Sequence, residues 1–254
     1  AYAAAQARVL SLSMLPRSTY VDMANAGSFA EAANLLSGTA YAVDANSDAA
    51  QIETMLHERR TETRQLFVDL IEDEKIIVFM RAREDFANMR LAIRRVVTDR
   101  PLGTEYSNEG NVPAEEFEEI FEQEDYSRLP EYLQDGVEAA VLGYYENKDI
   151  RRIDHEIDRV EAAWRLKHAA AHKLTFMLSL ARLRIDLGNI RTMLRLKMAD
   201  RIDETQYFLP GGFVDERKFA HGLEAGYDAI AQLFYATPYF DLLEASIPYL
   251  RQEL

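Results

Sequence analysis

The chain has 254 residues, 48% of them hydrophobic and 28% charged, with no cysteine and with 43 acidic against 29 basic side chains, a formal net charge of -14. A chain of this length can bury a core without covalent staples, and the absence of thiols excludes disulfides, thiolate zinc sites, a cysteine nucleophile and iron–sulfur clusters. The acidic balance argues against nucleic acid, whose phosphates require clustered Lys and Arg, and with only 11 Gly and 7 Pro few breakers remain for a turn-rich β protein.

Residues 1–22 read as a helical lead-in. From Thr39 to Arg100 there is neither Gly nor Pro, a stretch far beyond strand length that predicts a hairpin of two long helices. Asn46, Ser47 and Asp48 offer N-caps, Ile52, Leu56, Leu66, Leu70, Ile77 and Met80 follow helical spacing, and Glu72-Asp73-Glu74 marks an interruption. Further on, Phe117, Ile120 and Phe121 stand at i, i+3, i+4 with Glu115, Glu116, Glu118, Glu119, Glu122 and Glu124 opposite. That is an amphipathic helix with a solvated acidic face, lacking the loop glycine of a calcium site.

Tyr144 to Leu187 is again free of breakers. Ile150, Ile153, Ile157, Val160 and Trp164 set a helical rhythm that Ala171, Leu174, Leu178, Ala181 and Ile185 resume, so the hairpin turn is expected between Arg165 and Lys173. Pro210-Gly211-Gly212 predicts a turn, without the strand or the Lys-Ser/Thr of a phosphate loop. Tyr235, Tyr239, Phe240 and Tyr249 are expected in the core, and the pairs Arg59-Arg60, Arg94-Arg95 and Arg151-Arg152 on solvated helix faces. No run approaches the ~18 apolar residues of a bilayer span, so no direct membrane insertion is expected.

Shifting the sequence by 101 residues lays Asp85, Asn88, Arg90, Arg94, Asp99 and Arg100 over Asp186, Asn189, Arg191, Arg195, Asp200 and Arg201, six identities in a sixteen-residue window. At about twice that shift Leu35 to Tyr41 matches Leu233 to Tyr239, with a weaker middle copy around Tyr132, Leu133 and Gly136. The chain therefore reads as helical units at 23–116 and 117–218, with 219–254 opening a third, incomplete one whose Asn-x-Arg helix is expected about 35 residues beyond Leu254.

The Asp-x-x-Asn-x-Arg residues Asp85, Asn88, Arg90, Arg94, Asp186, Asn189, Arg191 and Arg195 admit two readings. Either Asp and Asn hold the neighbouring hairpin by buried hydrogen bonds while the Arg residues meet acidic partners, or the repeated helices present their polar ends to a common partner. His168 and His172 are four apart but have no Glu between them and no third ligand in view, and no nucleophile elbow, phosphate loop or dinucleotide turn occurs. No catalytic residue, metal, cofactor or small-molecule substrate is expected.

Three strings fix a resemblance: R-I-D-L-G-N-I-R-T-M-L-R-L-K from Arg184, Y-F-L-P-G-G-F-V-D-E-R-K-F from Tyr207, and L-E-A-G-Y-D-A-I-A-Q-L-F-Y-A-T-P-Y from Leu223. With A-R-V-L at Ala7, L-L-S-G-T-A-Y at Leu35 and N-M-R-L-A-I-R at Asn88, the chain resembles the C-type rotor component of archaeal and bacterial A/V-type ATPases, the counterpart of the d-type component in vacuolar ATPases. The resemblance implies an all-α, pseudo-threefold funnel of helical-hairpin units. It also implies a non-catalytic central-stalk rotor role on the cytoplasmic face, joining shaft subunits D and F to the membrane proteolipid ring for proton or sodium transport. Departing from the family pattern, the third unit stops short of its long hairpin. The alternatives are an unrelated helical scaffold or adapter and a metal-dependent helical-bundle enzyme built on His168 and His172.

Overall fold

A computed structural model describes residues 2–98 and 106–252; the repeat pair Asp99-Arg100 lies outside the described residues. Among the described residues the fold is all-α, without a strand. In chain order the helices are α1 (Tyr2–Ser11), α2 (Arg17–Ala24), α3 (Phe29–Asn34), α4 (Ala49–Leu70), α5 (Glu74–Thr98), α6 (Ala114–Gln123), α7 (Glu131–Asn147), α8 (Ile150–Ala171), α9 (Thr175–Met198), α10 (Glu216–Glu224), α11 (Tyr227–Leu233) and α12 (Phe240–Gln252).

Helix starts follow from local chemistry. Asp48 caps α4 in a reciprocal box with Gln51, Ser28 accepts from the Glu31 amide at α3, and Asp149 and Asp215 accept from the second amides of α8 and α10. Proline stands immediately before α2, α6 and α7, its fixed φ leading into the helix. The ends carry the consequence of scarce glycine: Glu124, Lys148, Lys173 and Asp200, just after α6, α7, α8 and α9, hold φ of 56°, 52°, 58° and 53°. Each left-handed stop on a residue with a Cβ costs about 1–2 kcal/mol.

The long breaker-free stretches resolve as expected in part. The first breaks at Ile71–Asp73 between α4 and α5, at the acidic run. The α8–α9 turn lies at His172–Leu174, at the far end of the predicted window, because Arg165 is buried in α8 rather than placed in a loop.

Two compact units are present, divided at Ile77/Val78 within α5. Among the described residues of the first unit, α1, α2 and α4 bury no residue, and only Ala33 and Leu36 are enclosed. The second unit contains two cores. One joins Phe86, Met89 and Ile93 of α5 to Phe117 and Ile120 of α6, Leu133 of α7, and Ile153 and Ile157 of α8. The other joins Met193 of α9 to Phe219 and Leu223 of α10, Ile230 of α11, and Phe234, Tyr239 and Leu243. Each core thus has a long closing helix, α5 or α9, covered by a short amphipathic helix, α6 or α10, that brings one phenylalanine to its centre. In α6 the glutamates face outward while Phe117, Ile120 and Phe121 are buried. The C-terminal aromatics divide: Tyr239 is buried, whereas Tyr235 and Tyr249 are 72% and 71% exposed, because Tyr235 lies in the surface turn after α11, edge-on to Phe240.

Candidate functional site

The repeated polar residues build two equivalent clamps on α5 and α9. Asn88 donates from Nδ2 to the Ser107 carbonyl and accepts from the Ser107 amide, both at 2.8 Å. Asn189 makes the same pair with Leu209, again at 2.8 Å each way. A side-chain amide that pairs with both groups of one loop residue fixes that loop's register on the helix and leaves no buried polar group orphaned.

The aspartates tie down the next stretch of the same loops. Asp85 accepts from the amides of Asn111 (2.7 Å) and Val112 (3.0 Å), from Asn111 Nδ2 (2.7 Å) and from the Tyr132 hydroxyl (2.8 Å). Asp186 accepts from the amides of Phe213 (3.1 Å) and Val214 (3.2 Å) and from the Tyr239 hydroxyl (2.8 Å). Both carboxyls are fully enclosed. Burial pushes the Asp85 carboxyl above the ordinary aspartate value despite the four donors, and burial with the adjacent carboxylate pushes the Tyr132 and Tyr239 phenols up.

These clamps explain the glycines of both loops. A Cβ on Gly110 would stand 2.2 Å from Asp85 Oδ1, and one on Gly212 would stand 2.0 Å from Asp186 Oδ1. Gly211 is needed for another reason: it holds φ +93° and packs where a Cβ would meet Leu166 Cδ1 at 2.5 Å. The Pro-Gly-Gly turn is thus a close backbone approach to a buried carboxylate. Asp85 and Asp186 grip their own following loops and, through the hydroxyls of Tyr132 and Tyr239, the elements that come after those loops.

The arginines diverge between copies. Arg90 reaches Asp158 of α8 at 2.5 Å and Asp154 at 3.4 Å, and Arg94 pairs with Asp154, so Arg94 faces α8 and is not a freely solvated cation. Arg191 and Arg195 are exposed and make no ion pair among the described residues. The recurrent Thr-x-Tyr element also has a geometry: Thr39 and Thr237 donate from Oγ1 to the carbonyls of Leu36 and Phe234, both at 2.7 Å, and accept from the amides of Tyr41 and Tyr239. Tyr132 and Tyr239 meet an aspartate; the Tyr41 hydroxyl has no hydrogen-bond partner among the described residues.

Sequence reasoning did not single out Arg165. It is 4% exposed, donates to the Phe79 carbonyl at 2.8 Å and to Glu161 at 2.7 Å, and lies over the Phe79 ring. Its place in the α8 rhythm, one residue after Trp164, was the available signal. His168 and His172 stack edge-on, with His168 also against Trp164, and no group of three or more His, Cys, Asp or Glu able to hold a metal occurs among the described residues. In both copies, buried carboxylates and amides bond the following loops to the long helices.

Compared with protein families, the chain matches the ATP synthase (C/AC39) subunit over residues 3–252. The chain belongs to this family. It is accordingly a C/AC39 subunit of the V/A-type rotary ATPases, a non-catalytic part of that complex. Comparison with curated proteins gave no match. No helix among the described residues is long and apolar enough to cross a membrane. The family assignment replaces the unrelated-scaffold alternative and removes the basis for a helical-bundle enzyme.

Proposed function

We propose that this C/AC39 protein is the rotor's socket, seated on the cytoplasmic side of the proteolipid ring and receiving the tip of the D/F shaft. The observation that carries the reading is the family match across residues 3–252, and the mechanics of the clamps support it. A part that passes torque must resist shear between its helices, and loops bonded to buried carboxylates cannot slide without stranding amides, at about 1–3 kcal/mol for each. Long helices carry load along their axes through continuous hydrogen bonds.

Ring docking then runs through proteins, in keeping with the net charge of -14, which disfavours direct contact with an anionic leaflet. On this reading the repeated units form a funnel about a pseudo-threefold axis. The test is co-elution of the chain with a purified D/F complex and, separately, with the purified proteolipid ring. Association with both at micromolar concentration is expected; no association with either at low salt would refute the role.

A further inference from the structure

The repeat that carries the clamps also carries cations that the clamps do not use. Shifting the sequence by 101 residues lays Arg81-Ala82-Arg83 of α5 over Arg182-Leu183-Arg184 of α9, just ahead of Asp85 and Asp186. Arg182 lies over the Phe213 ring at 5.7 Å. Arg83 and Arg184 are exposed and make no ion pair among the described residues.

These two equivalent residues stand beside the same buried cation, Arg165 of α8. Arg165 donates to the Phe79 carbonyl, and Arg83 is one helical turn beyond Phe79 on the same side of α5. Across the α8–α9 hairpin, Leu166 and Ile185, the residues after Arg165 and Arg184, both lie within 4.0 Å of where a Cβ on Gly211 would stand. Arg165 itself is 4% exposed. Its Nε is taken by Glu161 at 2.7 Å and its Nη1 by Phe79 at 2.8 Å, while Nη2 is buried without a hydrogen-bond partner among the described residues. Partial desolvation lowers the Arg184 guanidinium, the charges of Arg165 and Arg83 lower it further, and Glu161 opposes them. Three guanidiniums from three helices thus share one carboxylate, in a chain whose net charge of -14 shows no shortage of carboxylates to pair them.

We infer that Arg83, Arg165 and Arg184 form an anion site for a soluble phosphoryl group. The surplus of positive charge over Glu161 matches a phosphate, which carries about -1.5 to -2 at pH 7, whereas a single carboxylate would answer only part of it. Arg165, held by its two bonds, supplies a fixed charge that its buried surroundings screen poorly. The exposed, unpaired forks of Arg83 and Arg184 supply the paired N–H donors that suit phosphate oxygens. The net charge of -14 disfavours an anionic leaflet, so a free anion is favoured over a lipid headgroup. The site is independent of whether the protein serves as the rotor's socket.

The test is equilibrium dialysis of the 254-residue chain against radiolabelled inorganic phosphate, with chloride holding the ionic strength constant. Saturable binding at a single site is expected. Arg83→Gln and Arg184→Gln should each weaken it at least roughly tenfold and leave the circular dichroism spectrum unchanged, since both side chains are exposed. Arg217→Gln, which removes a cation already paired with Asp215, should leave binding unchanged. Binding that does not saturate, that is indifferent to Arg83 and Arg184, or that falls equally in all three variants overturns the proposal. So does Arg184-dependent binding confined to phosphatidylcholine vesicles containing phosphatidic acid, which would make the ligand a lipid headgroup. Arg184-dependent binding of the D/F complex by a chain that takes up no phosphate would likewise overturn it and assign the arginines to the shaft.

Discussion

Replacing Tyr239 by Phe removes one hydroxyl and nothing else, so it isolates the bond that joins Asp186 to the following aromatic turn. The donor lies 2.8 Å from Asp186 Oδ2, on a tyrosine 4% exposed facing a carboxylate 0% exposed. A hydrogen bond to a charged acceptor contributes about 1.5–3 kcal/mol. Across a chain of this size that lowers the melting temperature by roughly 3–12 °C, at about 2–4 °C per kcal/mol. Asp186→Ala strands the Phe213 and Val214 amides as well as the phenol, and taken sub-additively should cost about 3–5 kcal/mol. The decisive quantity is the coupling. In Asp186→Ala the phenol has already lost its acceptor, so adding Tyr239→Phe should cost nothing further or recover part of the loss, a coupling energy of about 1.5–3 kcal/mol. Urea unfolding of the wild type, both single variants and the double variant measures it. Strictly additive losses would show that the tyrosine stabilises by packing alone and would refute the clamp.

The same logic yields four further outcomes. Tyr41→Phe, where no partner exists among the described residues, should change stability by less than about 0.5 kcal/mol, against the larger loss for Tyr132→Phe in the same urea assay. Gly212→Ala and Gly110→Ala, whose Cβ atoms would stand 2.0 and 2.2 Å from the clamp carboxylates, should each destabilise by about 1–3 kcal/mol. Gly188→Ala, with nothing within 4 Å inside α9, should stabilise by about 0.5–1 kcal/mol. The raised phenols of Tyr132 and Tyr239 fix the sign of alkaline behaviour. The folded state keeps these protons to higher pH than the unfolded chain, whose tyrosines titrate near pH ~10, so their stability contribution is complete below that value and is lost as pH rises above it. Denaturant midpoints should therefore fall more steeply above pH ~10 in the wild type than in the Tyr132→Phe/Tyr239→Phe variant.

Periodicity made the helices legible because a buried stripe must recur every three or four residues whatever lies opposite. The Phe117–Ile120–Phe121 face was readable for that reason, while Asp48 was readable from its capping chemistry and the interruption before α5 from its run of acidic residues. The partner of a buried polar side chain is set by loop geometry and not by spacing, so Asp85 and Asp186 were visible as a repeat while their bonds to Asn111, Val112, Phe213 and Val214 were not. Exposure along a helix is equally hidden. Leu183 and Phe176 have the composition of core residues, and only the contrast with Ala82 on the covered copy shows that they lie open. Tyr235 and Tyr249 mislead in the same way: an aromatic residue at helical spacing carries no record of which side faces solvent.

The compact units and the sequence repeats divide the chain at different places, and the clamps supply the reason. On the unit boundaries expected from the sequence repeat, Asp85 falls in 23–116, but the hydroxyl that completes its site is on Tyr132, in the next expected unit. Asp186 falls in the expected unit 117–218 and is completed by Tyr239 of the next. Each closing helix therefore reaches its full hydrogen-bond complement only when the following repeat has folded onto it. A single isolated unit would leave a carboxylate short of a donor at the centre of its core, a deficit of about 1.5–3 kcal/mol against a total stability of about 5–15 kcal/mol. Folding is then coupled between neighbours, as in a one-dimensional array. Proteolysis within the 106–113 loop should accordingly release neither repeat as an independently stable fragment, whereas a cut at the His172–Leu174 turn, which leaves both clamps whole, should leave the two halves associated through α8 and α9.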